Sequence, residues 1–114
     1  MDIFEADLLS KDIAEMLKDA KGIAAYALAK DLRMLTTELT EFNKYKADLF
    51  EKYGKKEGNT ITIKPENLDA FAKEMAKFEG ETIYVPLRKL KEEELIESGL
   101  NGEQIFKIMK QLVE

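Results

Sequence analysis

Residues 23–54, IAAYALAKDLRMLTTELTEFNKYKADLFEKYG, decide the fold of this chain. Side chains recur there at alternating steps of four and three, which is the spacing of one stripe on a helix. The stripe consists of Leu28, Leu32, Leu35, Leu39, Phe42, Lys46, Leu49 and Tyr53. No proline interrupts it, alanines favour helix at its start, and Gly54 follows where a left-handed glycine can end a helix. The pattern predicts one helix from Ile23 to Tyr53, about 45 Å long at 1.5 Å per residue.

A helix of this length must bury its stripe against other elements. We expect a core seam within one domain, and the alternative is the seam of a coiled-coil dimer. Lys46 argues against a long dry seam, so its stem should pack while its ammonium group reaches water or a carboxylate. The charged residues beside the stripe should be solvated. They are Asp31, Arg33, Glu38, Glu41, Lys44 and Asp48.

The N-terminal residues allow two interpretations. Apolar residues alternate from Ile3 to Leu8, which favours a short strand, whereas Asp2 with Glu5 three residues later is a helix-start pattern. We predict the strand, followed by a helix over residues 8–19. That helix should form a helical hairpin with the long helix that follows.

Two later segments have strand character. Residues 60–64 and 82–86 are short, β-branched and alternating, and their isoleucines and Val85 should face one core. Residues 54–59 have the composition of a charged loop. Together these segments predict an α+β fold that is mostly helical, with a long central helix and a small antiparallel sheet of two or three strands. The whole chain, residues 1–114, is expected to form a single domain.

Three further helices are predicted after residue 64. They cover residues 66–78, residues 89–98, which form either a short helix or a turn, and the stretch from Asn101 to the end, where Asn101 and Gln104 have capping-box spacing. Four apolar side chains of the middle region should point inward. They are Leu87, Leu90, Leu95 and Ile96.

Composition narrows the possible functions. The formal net charge of −5 disfavours nonspecific binding to nucleic acid. Cysteine and histidine are absent, which removes thiol chemistry, the commonest general base and the commonest zinc ligand. Magnesium chemistry on carboxylates alone stays open, because acids distant in sequence can meet in space. We predict that the protein is not an enzyme and has no catalytic, cofactor-binding or metal-binding residues.

The candidate contact residues are mainly acidic. Glu92, Glu93, Glu94 and Glu97 form the densest acidic run, which is either a solvated face or a contact for a metal ion or a basic partner. Adjacent glutamates on a helix splay around its axis, so they cannot all bind one ion. Tyr84 lies opposite Ile83 and Val85 on its strand and should be exposed. We predict that these five residues, the four glutamates and Tyr84, bind a partner. The first twenty residues, with six acids against two lysines, are a second acidic region.

Several segments together resemble a class of small uncharacterised proteins encoded in phages and prophages of Gram-positive bacteria. The segments are AYALAKDL (25–32), FEKYG (50–54), NLDAF (67–71) and LNGEQI (100–105). The resemblance runs from about Lys21 to the end. It implies a mobile-element origin and a binding role, because such genomes encode both virion-assembly proteins and inhibitors of host defence. It supplies no catalytic residue.

From these observations we expect a non-enzymatic binding protein that acts in the host cytoplasm. The first hypothesis is an acidic inhibitor of a basic, nucleic-acid-handling defence protein, in the manner of an anti-CRISPR protein. The alternative is a structural or assembly protein of a phage particle that acts by helix-mediated self-association. The expected partner is a protein. We expect this chain to bind it as a monomer or a homodimer and to need no cofactor. No membrane or direct nucleic-acid contact is expected, since no run of about 18 apolar residues occurs and the acidic N-terminus is no secretory signal.

Overall fold

The structure, a computed structural model, describes every residue from Met1 to Glu114. Its helices are α1 (Ile3–Met16), α2 (Gly22–Glu38), α3 (Thr40–Tyr53), α4 (Leu68–Ala76), α5 (Glu92–Ile96) and α6 (Gly102–Leu112). Its strands are β1 (Gly54–Glu57) and β2 (Thr60–Ile63), which form one antiparallel sheet. The predicted α+β class, mostly helical with a small sheet, is confirmed.

The chain divides into two compact units, each held together by its own internal contacts. The terminal unit comprises Met1–Glu38 and Thr82–Glu114, and the central unit comprises Leu39–Glu81. The expectation of a single domain stays a prediction. None of the helices is long and apolar enough to cross a membrane.

The predicted long helix begins and ends near the expected residues, but it is divided at Leu39. That residue has φ −91° and ψ 5°, and no side chain caps the helix that follows it. Gly54 follows α3 as predicted, yet its φ of −94° is extended and not left-handed. Glycine is required there for space, because a Cβ would overlap the Phe50 carbonyl oxygen and stand 2.5 Å from Ile61 Cγ2.

Most of the predicted stripe is buried. Leu28, Leu35, Leu39, Phe42 and Leu49 lie in the interior, while the other three members are half-buried. One of those three, Lys46, places its ammonium 5.0 Å from the centroid of the Phe42 ring, a cation–π distance.

The predicted solvation of Asp31 is wrong, since its side chain is fully buried. The inward residues of α2 are spaced three and four apart, and Asp31 occupies one of these positions. They are Ala24, Ala27, Leu28, Asp31 and Leu35.

The predicted N-terminal strand is also wrong, and the competing helix start is what forms. Asp2 Oδ1 accepts the Phe4 N–H at 2.7 Å and the Glu5 N–H at 3.3 Å, which caps α1. Extended pairing is limited to the residues before the helix. There the Ile83 N–H donates to the Met1 carbonyl at 2.9 Å, beside an isolated bridge between Asp2 and Thr82.

The sheet has a different composition from the predicted one. Strand β2 pairs with β1, from Gly54 opposite Ile63 to Glu57 opposite Thr60, so part of the predicted loop is a strand. Residues 82–86 form no ladder beyond the bridge at Thr82. Residues 58 and 59 close the hairpin, with Gly58 at φ +62°, and such a short connection costs little closure entropy. Ile61, which was predicted to face a core, is 48% exposed.

The C-terminal helices follow the sequence more closely. Asn101 and Gln104 form the predicted capping box, each side chain accepting the other's backbone N–H at 2.9 Å. Leu90 is buried as expected, and Leu87 and Leu95 are half-buried. The inward prediction for Ile96 is wrong, because it is 77% exposed.

Candidate binding surfaces

A polar network fixes α5 and the segment before it within the terminal unit. Asp31 Oδ1 accepts the Arg88 N–H at 2.9 Å. The Arg88 guanidinium donates two hydrogen bonds to Glu94, at 2.6 and 3.3 Å. Glu94 Oε1 also accepts the Lys91 N–H at 2.9 Å, which caps α5. Glu94 therefore anchors its helix, while the neighbouring glutamates face outward.

The charges of this network shift one another's proton affinity. Burial raises the pKa of Asp31, and the Arg88 N–H and the Arg88 and Lys30 charges offset part of that rise. The Arg88 hydrogen bonds lower the pKa of Glu94, and Glu94 in turn raises the pKa of Arg88. Asp31 Oδ2 is buried without a hydrogen-bond partner. The ion pair is thus a stabilising element, whereas Asp31 carries a desolvation cost.

The remaining acids of the predicted run form what we call the acidic face, composed of Glu92, Glu93, Ile96 and Glu97. All four side chains are exposed, and none of the three glutamates makes a salt bridge. At helical spacing, Ile96 lies between the carboxylates on one side of α5. An apolar side chain surrounded by carboxylates can pack on a partner while the carboxylates accept hydrogen bonds from lysine or arginine.

Tyr84, the fifth predicted contact residue, lies on a separate part of the terminal unit. Residues 82–98 run antiparallel to α2: Arg88 meets Asp31 in the middle, and the Ser98 carbonyl accepts the Lys21 N–H at 2.7 Å. Tyr84 therefore lies towards the C-terminal end of α2, and the acidic face lies towards its N-terminal end. The structure brings the glutamates together and separates them from Tyr84.

A second surface surrounds Tyr84, and sequence reasoning missed most of it. Tyr84 lines a depression of about 190 Å³ with Val85, Pro86 and residues of α2. A neighbouring depression of about 420 Å³ shares Arg33 and Met34 with the first. We call their combined lining the tyrosine face. Its residues are Tyr26, Ala29, Lys30, Arg33, Met34, Thr37, Glu38, Tyr84, Val85 and Pro86. Helical spacing along α2 could have grouped its α2 residues on one side of that helix, but it could not have placed Tyr84 beside them.

Most of the N-terminal acids already have a hydrogen-bond or ion-pair partner within the terminal unit. Asp2 caps α1, Asp7 pairs with Lys11 at 3.3 Å, and Glu15 pairs with Lys18 at 3.2 Å. Glu5 lies 3.7 Å from Lys110, and Asp19 accepts a hydrogen bond from Gln104 at 3.0 Å. Their charge is therefore partly neutralised, in contrast to that of the acidic face.

Carboxylates nowhere gather as metal ligands would. No group of three Asp or Glu side chains lies close enough together to hold a metal ion. Comparison with known proteins finds no family model, no curated protein and no solved structure that this chain matches.

Proposed function

We propose that this protein is a non-enzymatic inhibitor that docks its acidic face on a basic, nucleic-acid-binding surface of a host defence protein. The acidic face itself is the observation that carries the proposal. Its three glutamates have no cationic partner of their own, so they are available to lysines and arginines that otherwise hold phosphates. The resemblance to phage proteins supports a defence nuclease as the target, in the manner of an anti-CRISPR protein.

The arrangement around the acidic face suits a competitor of nucleic acid. The Arg88–Glu94 pair and the Asp31 hydrogen bond hold α5 on its unit, so the backbone that carries the outward carboxylates has little freedom left to lose. Ten Lys and Arg against fourteen Asp and Glu give the terminal unit a formal charge of −4, which would steer it towards a basic groove. Such steering weakens as salt rises.

The alternative, assembly of a phage particle through the long stripe, has less support. Five of the eight stripe residues are already buried within the single chain. They have no free face to offer to a second copy. A coiled-coil seam would require this core to open.

Charge reversal tests the proposal. Glu92→Lys, Glu93→Lys and Glu97→Lys together should weaken binding to the target about 100-fold or more, because three attractive contacts become repulsive. The matched control carries Glu51→Lys, Glu79→Lys and Glu81→Lys, which change the net charge equally at exposed positions of the central unit. Both variants are first checked for an unchanged melting temperature. Glu94 is left intact because it anchors α5.

The assay is DNA cleavage by a panel of purified CRISPR effector complexes, with affinity measured across a salt series. The proposal predicts that the native protein and the control inhibit at least one effector, that the acidic-face variant does not, and that affinity falls as salt rises. Equal inhibition by both variants would remove the acidic face from the contact. Association with capsid or tail proteins, without inhibition of any effector, would favour the assembly role.

A further inference from the structure

The tyrosine face carries charge of the opposite sign to the rest of its unit. Lys30 and Arg33 are exposed there and neither makes a salt bridge, although the chain as a whole has a net charge of −5. Glu38, at the Thr37 end, is the one carboxylate among the lining residues. An unpaired guanidinium and ammonium three residues apart on α2 can both donate to a single carboxylate.

The same face exposes aromatic surface at both ends. Tyr26 is 63% exposed and Tyr84 is 83% exposed, so both rings have large areas that remain in contact with water. Tyrosine and arginine are the residue types that most often dominate binding energy at interfaces. Met34, half-buried, lines both depressions and gives each of them an apolar side chain.

The dimensions of the face limit its occupant. From Tyr26 to Thr37 the helix rises about 16 Å, which is the length of about five residues of extended chain. The depression beside Tyr84, Val85 and Pro86 offers an apolar wall. Arg33 lines one end of this depression, and Thr37 at the other end lies about one helical turn away, a distance that two residues of an extended chain span.

From this geometry we infer that the tyrosine face binds an extended acidic peptide segment of a partner protein. A carboxylate of the segment pairs with Lys30 and Arg33, and an apolar side chain two positions away occupies the depression beside Tyr84. Glu38 repels a peptide carboxylate at the Tyr84 end of the face. The bound segment therefore places its apolar side chain at that end and its carboxylate near Lys30 and Arg33. This surface is independent of the acidic face, which would take a basic partner.

The test uses a peptide array. Each pentapeptide carries leucine at the first position and glutamate at the third, the other positions vary, and each has a counterpart with glutamine in place of glutamate. The inference predicts that the glutamate peptides retain the labelled protein, with about tenfold weaker retention by the glutamine counterparts, which corresponds to one lost charge-assisted contact. If no glutamate peptide binds better than its counterpart, the inference is wrong.

Two variants and a control locate the binding. Arg33→Gln and Tyr84→Ala should each weaken the strongest array peptide about fivefold or more, because both side chains are exposed and contribute directly. Lys107→Gln, which removes the same charge from an exposed position of α6, should leave binding unchanged. Amide chemical shifts should change at residues 26–37 and at Tyr84 and Val85. Shifts confined to other residues, or equal loss with Lys107→Gln, would overturn the assignment.

Discussion

The two units of the chain differ in how they exclude water. The terminal unit buries large apolar side chains that come from four separate stretches of the chain, and each of these side chains is less than 2% exposed. Among them are Ile13, Met16, Leu28, Leu35, Leu90, Ile108 and Leu112. In the central unit, Leu39, Phe42 and Leu49 are the buried hydrophobic residues, and α4 buries none.

Aromatic contacts take a larger part in the central unit. Phe78 packs edge-on against Phe42 and Tyr45, with ring centroids 4.7 and 5.0 Å away. The Tyr45 hydroxyl donates to Glu74 at 2.5 Å, and Glu74 pairs with Lys77. Hydrophobic stabilisation scales with the apolar area removed from water. We therefore expect the terminal unit to be the more stable one. The same hydrophobic stripe runs through α2 and α3, yet the two units bury different amounts of apolar side chain.

The largest expected effect tests this difference directly. Leu28→Ala in the terminal unit should cost about 3–5 kcal/mol of unfolding free energy, because the closely packed core cannot close the cavity. Leu49→Ala in the central unit should cost about 2 kcal/mol, because its sparser surroundings can relax. Urea denaturation followed by circular dichroism measures both, with the exposed Leu68→Ala as the control. Equal losses at Leu28 and Leu49 would remove the distinction.

An intermediate effect is expected in the hairpin of the central unit. Gly54→Ala should cost about 1–3 kcal/mol, because the added Cβ collides with the Phe50 carbonyl and the Ile61 side chain. Hydrogen exchange should accelerate at residues 54–63 and stay slow in α1 and α2. Gly102→Ala, where a Cβ meets no atom within 4 Å, is the matched control. An unaltered hairpin would show that the close approach at Gly54 is not required.

The smallest effect concerns the one charged group in the core of the terminal unit. The folded pKa of Asp31 is raised, so stability is highest below the unfolded pKa and falls as pH rises through the folded pKa. The amide introduced by Asp31→Asn cannot ionise. As pH rises from the unfolded to the folded pKa of Asp31, the stability of this variant relative to the native protein should therefore increase. The increase should be about 1.4 kcal/mol for each unit by which these two pKa values differ.

Urea titrations at successive pH values measure this difference. The pH dependence that arises from Glu94 has the opposite sign, since its lowered pKa favours the folded state above the unfolded value, but it is common to both proteins and cancels. Asp48→Asn, at an exposed position, serves as the control. If the difference in unfolding free energy between Asp31→Asn and the native protein stays constant with pH, burial does not raise the pKa of the Asp31 carboxyl.

Local signals in the sequence correctly predicted those elements whose position depends mainly on residues close by in the chain. The capping box at Asn101, the end of the helix at Tyr53 and the strand at residues 60–63 belong to this class. The N-terminal residues show the limit. Period-two alternation and the Asp2 cap compete there, and the helix wins because Ile3, Ala6 and Leu9 then share one buried side.

The candidate surfaces were predictable only in part. The acidic run was visible in the sequence, but Glu94 could not be separated from its neighbours until its pairing with Arg88, six residues away, was known. Tyr84 was expected to be exposed. Its neighbours on the tyrosine face come from α2, more than forty residues earlier, and no local pattern connects Lys30 or Arg33 with it.

The sequence by itself determined the α+β class, the net charge, the end of α3 at Tyr53 and the start of α6 after Asn101, because caps, glycines and hydrophobic spacing act over a few residues. The tertiary structure alone decided which residues outside the predicted stripe face inward, which strand pairs with β2 and why residue 54 is glycine. Those outcomes depend on distant residues that compete for the same buried space. For this reason Asp31 is buried and Ile96 is exposed, against their individual polarity.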